Sequence, residues 1–174
     1  MLIKFEQLEQ YKHWLSSLIE WLRTRISLHC VEHDVLLSVL RASEAPRECV
    51  ELLEKYIAAC SEVTAKDLLA LASTTRSRAV LMFAALNKAA TPAVHNLIFG
   101  LPICDDEVRR AIALSASDDN ILSQLSKSED EFVRHAVAVN EHAPHFVLCD
   151  LAMWDRSEYV RTSAELRLDE RGSK

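Results

Sequence analysis

Apolar residues Phe5, Leu8, Tyr11, Leu15, Leu18, Leu22 and Ile26 recur every three or four positions, which is the period of an amphipathic helix. They predict one long helix from Phe5 to about Ser27, with room for a single break. Trp14 and Trp21 lie seven apart on a neighbouring stripe, a placement that suits packing against the next helices better than an aromatic binding site. Two further helices are predicted near Val31–Ala42 and Pro46–Cys60. Pro46 belongs in the first turn of the second, where its missing N–H costs nothing. From Thr64 onward the predicted helices are short and evenly spaced. Thr64, Thr91, Ser117 and Ser128 are expected N-caps, Pro92 sits just inside one helix, and Glu131 completes a Ser-x-x-Glu capping box with Ser128. No stretch alternates as a strand would.

The second half of the chain repeats itself. Val80-Leu-Met-Phe-Ala-Ala-Leu-Asn87, Val108-Arg-Arg-Ala-Ile-Ala-Leu-Ser115, Val133-Arg-His-Ala-Val-Ala-Val-Asn140 and Val160-Arg-Thr-Ser-Ala-Glu-Leu-Arg167 align without gaps, with starts 28, 25 and 27 residues apart. Leu-x-x-Leu-[Ala/Ser] elements precede three of them: Leu68/Leu71/Ala72, Leu122/Leu125/Ser126 and Leu148/Leu151/Ala152. Each unit is therefore expected to be a short helix, a turn and a second helix. Valine in the first column and the aliphatic residue in the seventh are expected on one face of the second helix. Alanine in the sixth lets helices approach closely. Asn87, Ser115 and Asn140 end that helix, either in left-handed geometry or by capping the following turn. A lone unit cannot bury its apolar face, whereas a stack builds a continuous core. In the last unit Glu165 and Arg167 replace Ala and Asn or Ser, as a solvent-facing terminal cap requires.

Composition narrows the function classes. With only 2 Gly and 4 Pro in 174 residues, the chain lacks the glycines that tight β-turns and phosphate-wrapping loops demand. Gly100 and Gly172 cannot build a P-loop or a G-x-G-x-x-G turn, so nucleotide chemistry of the usual kinds is disfavoured. The net charge is −6 and evenly spread, which opposes general nucleic-acid binding, since that needs a basic footprint. Cys30, Cys49, Cys60, Cys104 and Cys149 are scattered and odd in number, and read as buried free thiols in a reducing cytosol. The opening MLIKFEQLEQYKHW is unlike a signal peptide, and no run approaches the roughly 20 apolar residues of a membrane span. A cytoplasmic protein is the expectation.

The repeated columns resemble the leucine-rich repeat variant, a bacterial relative in style of the HEAT and armadillo repeats, whose unit runs V-R-x-x-V-A-x-N-x-x-T-P-x-x-x-L-x-x-L-A-x-D. The fullest agreement is Val133-Arg134-x-x-Val137-Ala138-x-Asn140, then Ala143-Pro144, Leu148, Leu151-Ala152 and Asp155, and Val160-Arg161; Thr91-Pro92 repeats the T-P step. The resemblance covers about residues 64–167. It implies an all-α fold, a right-handed α-solenoid of short helical repeats behind an N-terminal helical cap. The expected organisation is one domain: N-terminal helices over 1–62, about four repeats over 63–169 and a tail over 170–174. The first unit lacks the Arg, the second carries an insertion around Gly100-Leu-Pro102, and the clustered cysteines of an iron–sulphur segment are absent. The first 60 residues are either degenerate units or a separate cap.

Arg109, Arg134 and Arg161 share one column, and Asp105 and Asp130 precede two of them by four residues. Two readings stand: an Asp/Arg ladder tying units together, or a basic stripe, joined by Arg76, Arg78 and Arg110, that grips an acidic partner or phosphates. HEAT-like DNA glycosylases show that such a groove can act on DNA, but no aromatic-plus-Asp pocket is evident here. His29, Cys30 and His33, and separately His142, His145 and Cys149, are half-sites at best, without four-ligand zinc spacing. No nucleophile–base pair stands out. The acidic pairs Asp105/Asp106, Asp118/Asp119 and Glu129/Asp130 suit first turns of helices, where they favour the helix dipole. The sequence therefore leads to a non-catalytic module, a monomer or weak dimer without cofactor or metal, that binds a protein through the solenoid surface. Two alternatives remain: a bacterial immunity protein or antitoxin, on size and charge, and an anion or nucleic-acid binder through the arginine column.

Overall fold

The computed structural model of the chain describes residues 47–59 and 63–172. Among the described residues the structure is all-helical, without a strand. Its helices are α1 (Arg47–Ala59), α2 (Ala65–Thr74), α3 (Arg78–Leu86), α4 (Pro92–Phe99), α5 (Asp106–Ser115), α6 (Asp119–Leu125), α7 (Glu131–Val139), α8 (His145–Trp154) and α9 (Glu158–Gly172). The helices predicted before Pro46, with Trp14 and Trp21, lie outside the described residues, as do His29, Cys30 and His33. Helix α9 continues to Gly172, into the stretch expected to be a tail from residue 170. None of these helices is long and apolar enough to cross a membrane.

Local chemistry accounts for the helix starts, and it differs in detail from the sequence expectation. Thr64 forms a full capping box, its Oγ1 accepting from the Asp67 amide while the Asp67 carboxylate accepts from the Thr64 N–H. Thr91 occupies the N-cap of α4 ahead of Pro92, but its side chain makes no capping bond. Neither serine caps. Asp118 takes the N-cap of α6 in place of Ser117, accepting from the Asn120 and Ile121 amides. Asp130 caps α7 through Phe132 and Val133, while Ser128 accepts from the Asp130 amide one turn earlier. A carboxylate satisfies the same orphan N–H groups and also interacts favourably with the helix dipole, so the aspartate wins where both residues are in reach.

The repeated columns form the core. The first-column valines Val80, Val108, Val133 and Val160 are fully buried, as are Ala84, Ile112, Val137 and Ala164 in the fifth. Ala85, Ala113 and Ala138 in the sixth are buried too. From the intervening helices come Leu68, Leu71, Val94, Ile98, Leu122, Leu125, Leu148 and Leu151. The insertion after α4 folds onto this core: Cys104 is buried, and Leu101 and Ile103 pack partly buried against it. Each fully buried Val, Leu or Ile side chain contributes about 1.5–3 kcal/mol.

The packing has a simple order. Odd-numbered helices pack on the next odd one, α1 on α3, α3 on α5, α5 on α7 and α7 on α9. Helix α2 packs on α4; α2, α4 and α6 each also touch both odd neighbours in the chain, and α8 packs on α9. Because alanines fill the sixth column, the odd helices can lie close side by side. Helix α1 belongs to the same series, although it carries no recognisable motif. Counting back 27 residues from Ala85 places Ala58 in the sixth column, and Ala58 is fully buried like its counterparts.

Candidate interaction surface

The eighth column does more than end a helix. Asn87 and Asn140 have extended backbones (φ −68°, ψ 135° and φ −67°, ψ 131°), so left-handed geometry is not their role. Each carboxamide oxygen accepts from the amide two residues on, Ala89 and His142 respectively, which closes the following turn as expected. The amide nitrogen reaches backward to the preceding odd helix. Asn87 Nδ2 donates to the Ala58 carbonyl at 2.8 Å, and Asn140 Nδ2 donates to Ala113 and Ala116 at 2.7 and 2.9 Å. Ser115 Oγ donates to the Ala85 carbonyl at 2.7 Å. Arg167 takes the same place in α9 and donates to the Val139 carbonyl. Carbonyls left open at the C-terminus of one odd helix are thus satisfied by the eighth-column side chain of the next.

The second-column arginines point inward. Arg134 is 4% exposed. Its Nε and Nη2 grip both Asp155 oxygens at 2.7 and 3.1 Å, and Nη1 donates to the Ser128 and Glu129 carbonyls. Arg161 is half-buried and donates to the Asp155 carbonyl at 2.7 Å. Asp155 thereby joins α7, α8 and α9. Burial alone would raise its carboxyl pKa, but the Arg134 guanidinium and the Ser157 N–H outweigh that and hold it below the usual carboxylate range. The expected i,i+4 pairing of the ladder does not form: Asp130 caps its own helix, and Arg109 pairs with Asp106. Arg78 instead bridges to Asp105 at 2.5 Å, which lowers the pKa of that carboxyl. Arg76 and Arg110 are exposed. The structure thus brings Arg134 and Arg161 together on a buried acid, apart from the exposed Arg76, Arg78, Arg109 and Arg110. A related bond occurs at the start of the described chain, where Glu54, in the same column as Arg134, accepts from Thr75 Oγ1 at 2.8 Å inside the protein.

The seventh column separates from the first. Where the valines are buried, Leu86, Leu114 and Leu166 are 48%, 45% and 60% exposed, and Val139 is half-buried. The seventh position lies six residues after the first, about 120° short of two full helical turns, and that offset takes the side chain out of the packed seam. The residues just before the first-column valine and two after it, three apart, complete an outward strip along each odd helix. They are Ala79 and Met82 on α3, Glu107 and Arg110 on α5, Phe132 and His135 on α7, and Tyr159 and Thr162 on α9. The strips adjoin. His135 stacks on Tyr159 across α7 and α9, centroids 4.3 Å apart and planes at 16°. Burial lowers the His135 pKa, and Arg110 on the neighbouring helix lowers it further. Met82 and Glu107 line one hollow between α3 and α5, while Phe83 and Leu86 with Ala59 line another beside α1. The signal that could have found this face is the aliphatic seventh column itself, read by angle rather than by hydrophobicity.

The remaining candidates are simpler. Cys149 Sγ lies 3.4 Å from His145 Nδ1, one turn apart on α8, and His142 faces Glu141. No group of three or more His, Cys, Asp or Glu side chains among the described residues converges as a metal site. Asp105, Asp118 and Asp130 of the three acidic pairs are N-caps. Sequence reasoning passed over His95, which is buried in α4 with Nε2 3.0 Å from the Ala85 carbonyl and 3.2 Å from Ser115 Oγ. Its Nδ1 has no partner, and burial drives its pKa down. No protein-family model matches the sequence, and no curated protein or solved structure is similar enough to it to carry an argument.

Proposed function

We propose that this chain is a non-catalytic protein-interaction module, a right-handed α-solenoid of the variant leucine-rich or HEAT-like kind, whose partner docks on the outward face of its odd-numbered helices. One observation carries the reading. Four successive odd helices each leave an aliphatic side chain of the seventh column out of the core, and Phe83, Phe132 and Tyr159 are exposed on the same helices. Single exposed apolar residues are ordinary, but a row drawn from adjoining helices marks an interaction site. The order of helix packing, odd on odd with α2 on α4, supports the repeat architecture. Arg134 is committed to Asp155 and Arg161 to its backbone carbonyl, which weighs against the anion or nucleic-acid reading of the arginine column.

Capture from a nuclease-treated lysate tests this. The expected result is a stoichiometric protein retained by the wild type and by an Arg76→Glu/Arg110→Glu variant, and lost, by at least tenfold, with Leu86→Arg/Leu114→Arg. Both leucines are about half exposed, so the variant is expected to keep its helical circular dichroism. Retention by the leucine variant, or binding that disappears with nuclease, would overturn the proposal.

A further inference from the structure

The face that docks the partner has two edges of different chemistry. Along the C-terminal ends of α3, α5 and α7, and midway along α9, run the aliphatic side chains Leu86, Leu114, Val139 and Leu166. Along the N-terminal ends of α5, α7 and α9 stand Glu107, Glu131 and Glu158, all exposed. No described cation comes within ion-pair distance of these three carboxylates, although Glu107 acts at longer range on Arg78 and Glu131 on Arg134, whereas neighbouring Asp106 pairs with Arg109. Between the edges lie Phe132, Tyr159, His135 and the exposed Arg110, and burial and Arg110 keep His135 toward its neutral form. We infer that the occupant of this face is a basic amphipathic helix of a partner protein, laid across the odd helices with its apolar stripe on the leucine edge and its Lys/Arg flank on the glutamate edge.

The dimensions agree with a helix. The seven or eight residues between the edges span about 10–12 Å along an α-helix, so the two edges lie roughly one helix diameter apart, a diameter being about 10–12 Å. Four helices packed at about 8–10 Å present a track of about 24–30 Å, the length of a helix of about 16–20 residues. An extended peptide fits less well. The backbone N–H and C=O groups of the odd helices are used within their own helices, so the face has no open edge for strand pairing. Three glutamates not paired with described cations favour a cationic flank and disfavour an acidic one, through steering and through the cost of like charges brought together.

The inference rests on the docking face proposed above and is tested separately from it. The probe is a fluorescein-labelled 18-residue peptide of Leu, Ala, Gln and Lys, with Leu at i, i+3, i+4 and i+7 and Lys along one flank. Two controls accompany it, the same residues in scrambled order and the same peptide with Glu for every Lys. By anisotropy the basic amphipathic peptide is expected to bind at least tenfold tighter than either control, and to weaken as salt rises. A Glu131→Lys/Glu158→Lys variant is expected to reverse the preference between the Lys and Glu peptides. Equal binding of those two peptides, or no binding of either, would overturn the inference. If the leucine variant still loses its captured protein in that case, the docking face stands and only the assigned chemistry of its occupant falls. Binding of the basic peptide that survives both Leu86→Arg/Leu114→Arg and the glutamate reversal would place it elsewhere and overturn the inference too.

Discussion

Asn140 shows how much one side chain can settle. Its carboxamide donates twice to the end of α5 and accepts once from its own turn, and the residue is 2% exposed. The direction of the donation decides which replacements are tolerated. Asn140→Ala removes the donors and strands two buried carbonyls, an expected loss of about 2–4 kcal/mol from two bonds at about 1–2 kcal/mol each. Asn140→Asp keeps the shape, but at neutral pH it sets a buried carboxylate against two carbonyl oxygens. Urea unfolding at pH 7 is expected to rank Asp as the less stable of the two; the opposite order would mean that the amide nitrogen is not the group that matters. The sequence marked this residue as a helix end, which is a local property. It could not show the backward reach, because the acceptors lie 24 and 27 residues away.

At the scale of elements, the Arg134–Asp155 pair fixes how α7, α8 and α9 meet. Both side chains are about 95% or more buried, so removing one leaves the other as an uncompensated charge. Arg134→Ala is expected to cost about 3–5 kcal/mol, read by urea denaturation. Arg134→Lys is expected to recover little, since an ammonium cannot grip both carboxylate oxygens and two carbonyls from one planar fork. An Arg134→Lys variant of wild-type stability would count against this account. Because the Asp155 carboxyl pKa is depressed by folding, its contribution is present above the ordinary carboxylate range and is lost as pH falls through the folded value. The helices containing these residues were legible from the sequence because a period of 3.6 residues reports burial within a single helix. The inward turn of Arg134 was not, since it depends on the end of α8 arriving beside α7. The same limit hid the outward seventh column, where aliphatic residues were grouped with the buried valines.

Across the whole molecule, stability is expected to weaken as pH falls below neutral. His95 and His135 both have folded pKa values below the ordinary histidine value, in each case chiefly through burial. Below about pH 6.5 the unfolded chain therefore binds more protons than the folded one, and stability falls as pH drops toward the folded values. The expected slope is at most about 1.4 kcal/mol per pH unit for each histidine. His95→Gln is expected to flatten the dependence of Tm on pH between 7 and 5 while leaving the part due to His135; an unchanged slope would remove His95 from the account. This buried imidazole was invisible in the sequence because its position carries ordinary core residues elsewhere: three residues after Pro144, where α8 begins, stands Val147.

The backward-reaching eighth column has a consequence for how such a chain can grow. Helices α3 and α5 each present the same two things, an open sixth-column carbonyl on one side and a donor side chain on the other, and α7 offers the Val139 carbonyl and the Asn140 donor in the same roles. Neighbours recognise one another as a plug recognises a socket, and the pairing has a direction. A copy of Glu131–Ser157 spliced in before Glu158 would bring a plug for the Asn140 helix and a socket for Arg167. Adding units of about 27 residues would therefore lengthen the chain without inventing a new interface, and the donor column accepts Asn, Ser or Arg in that role.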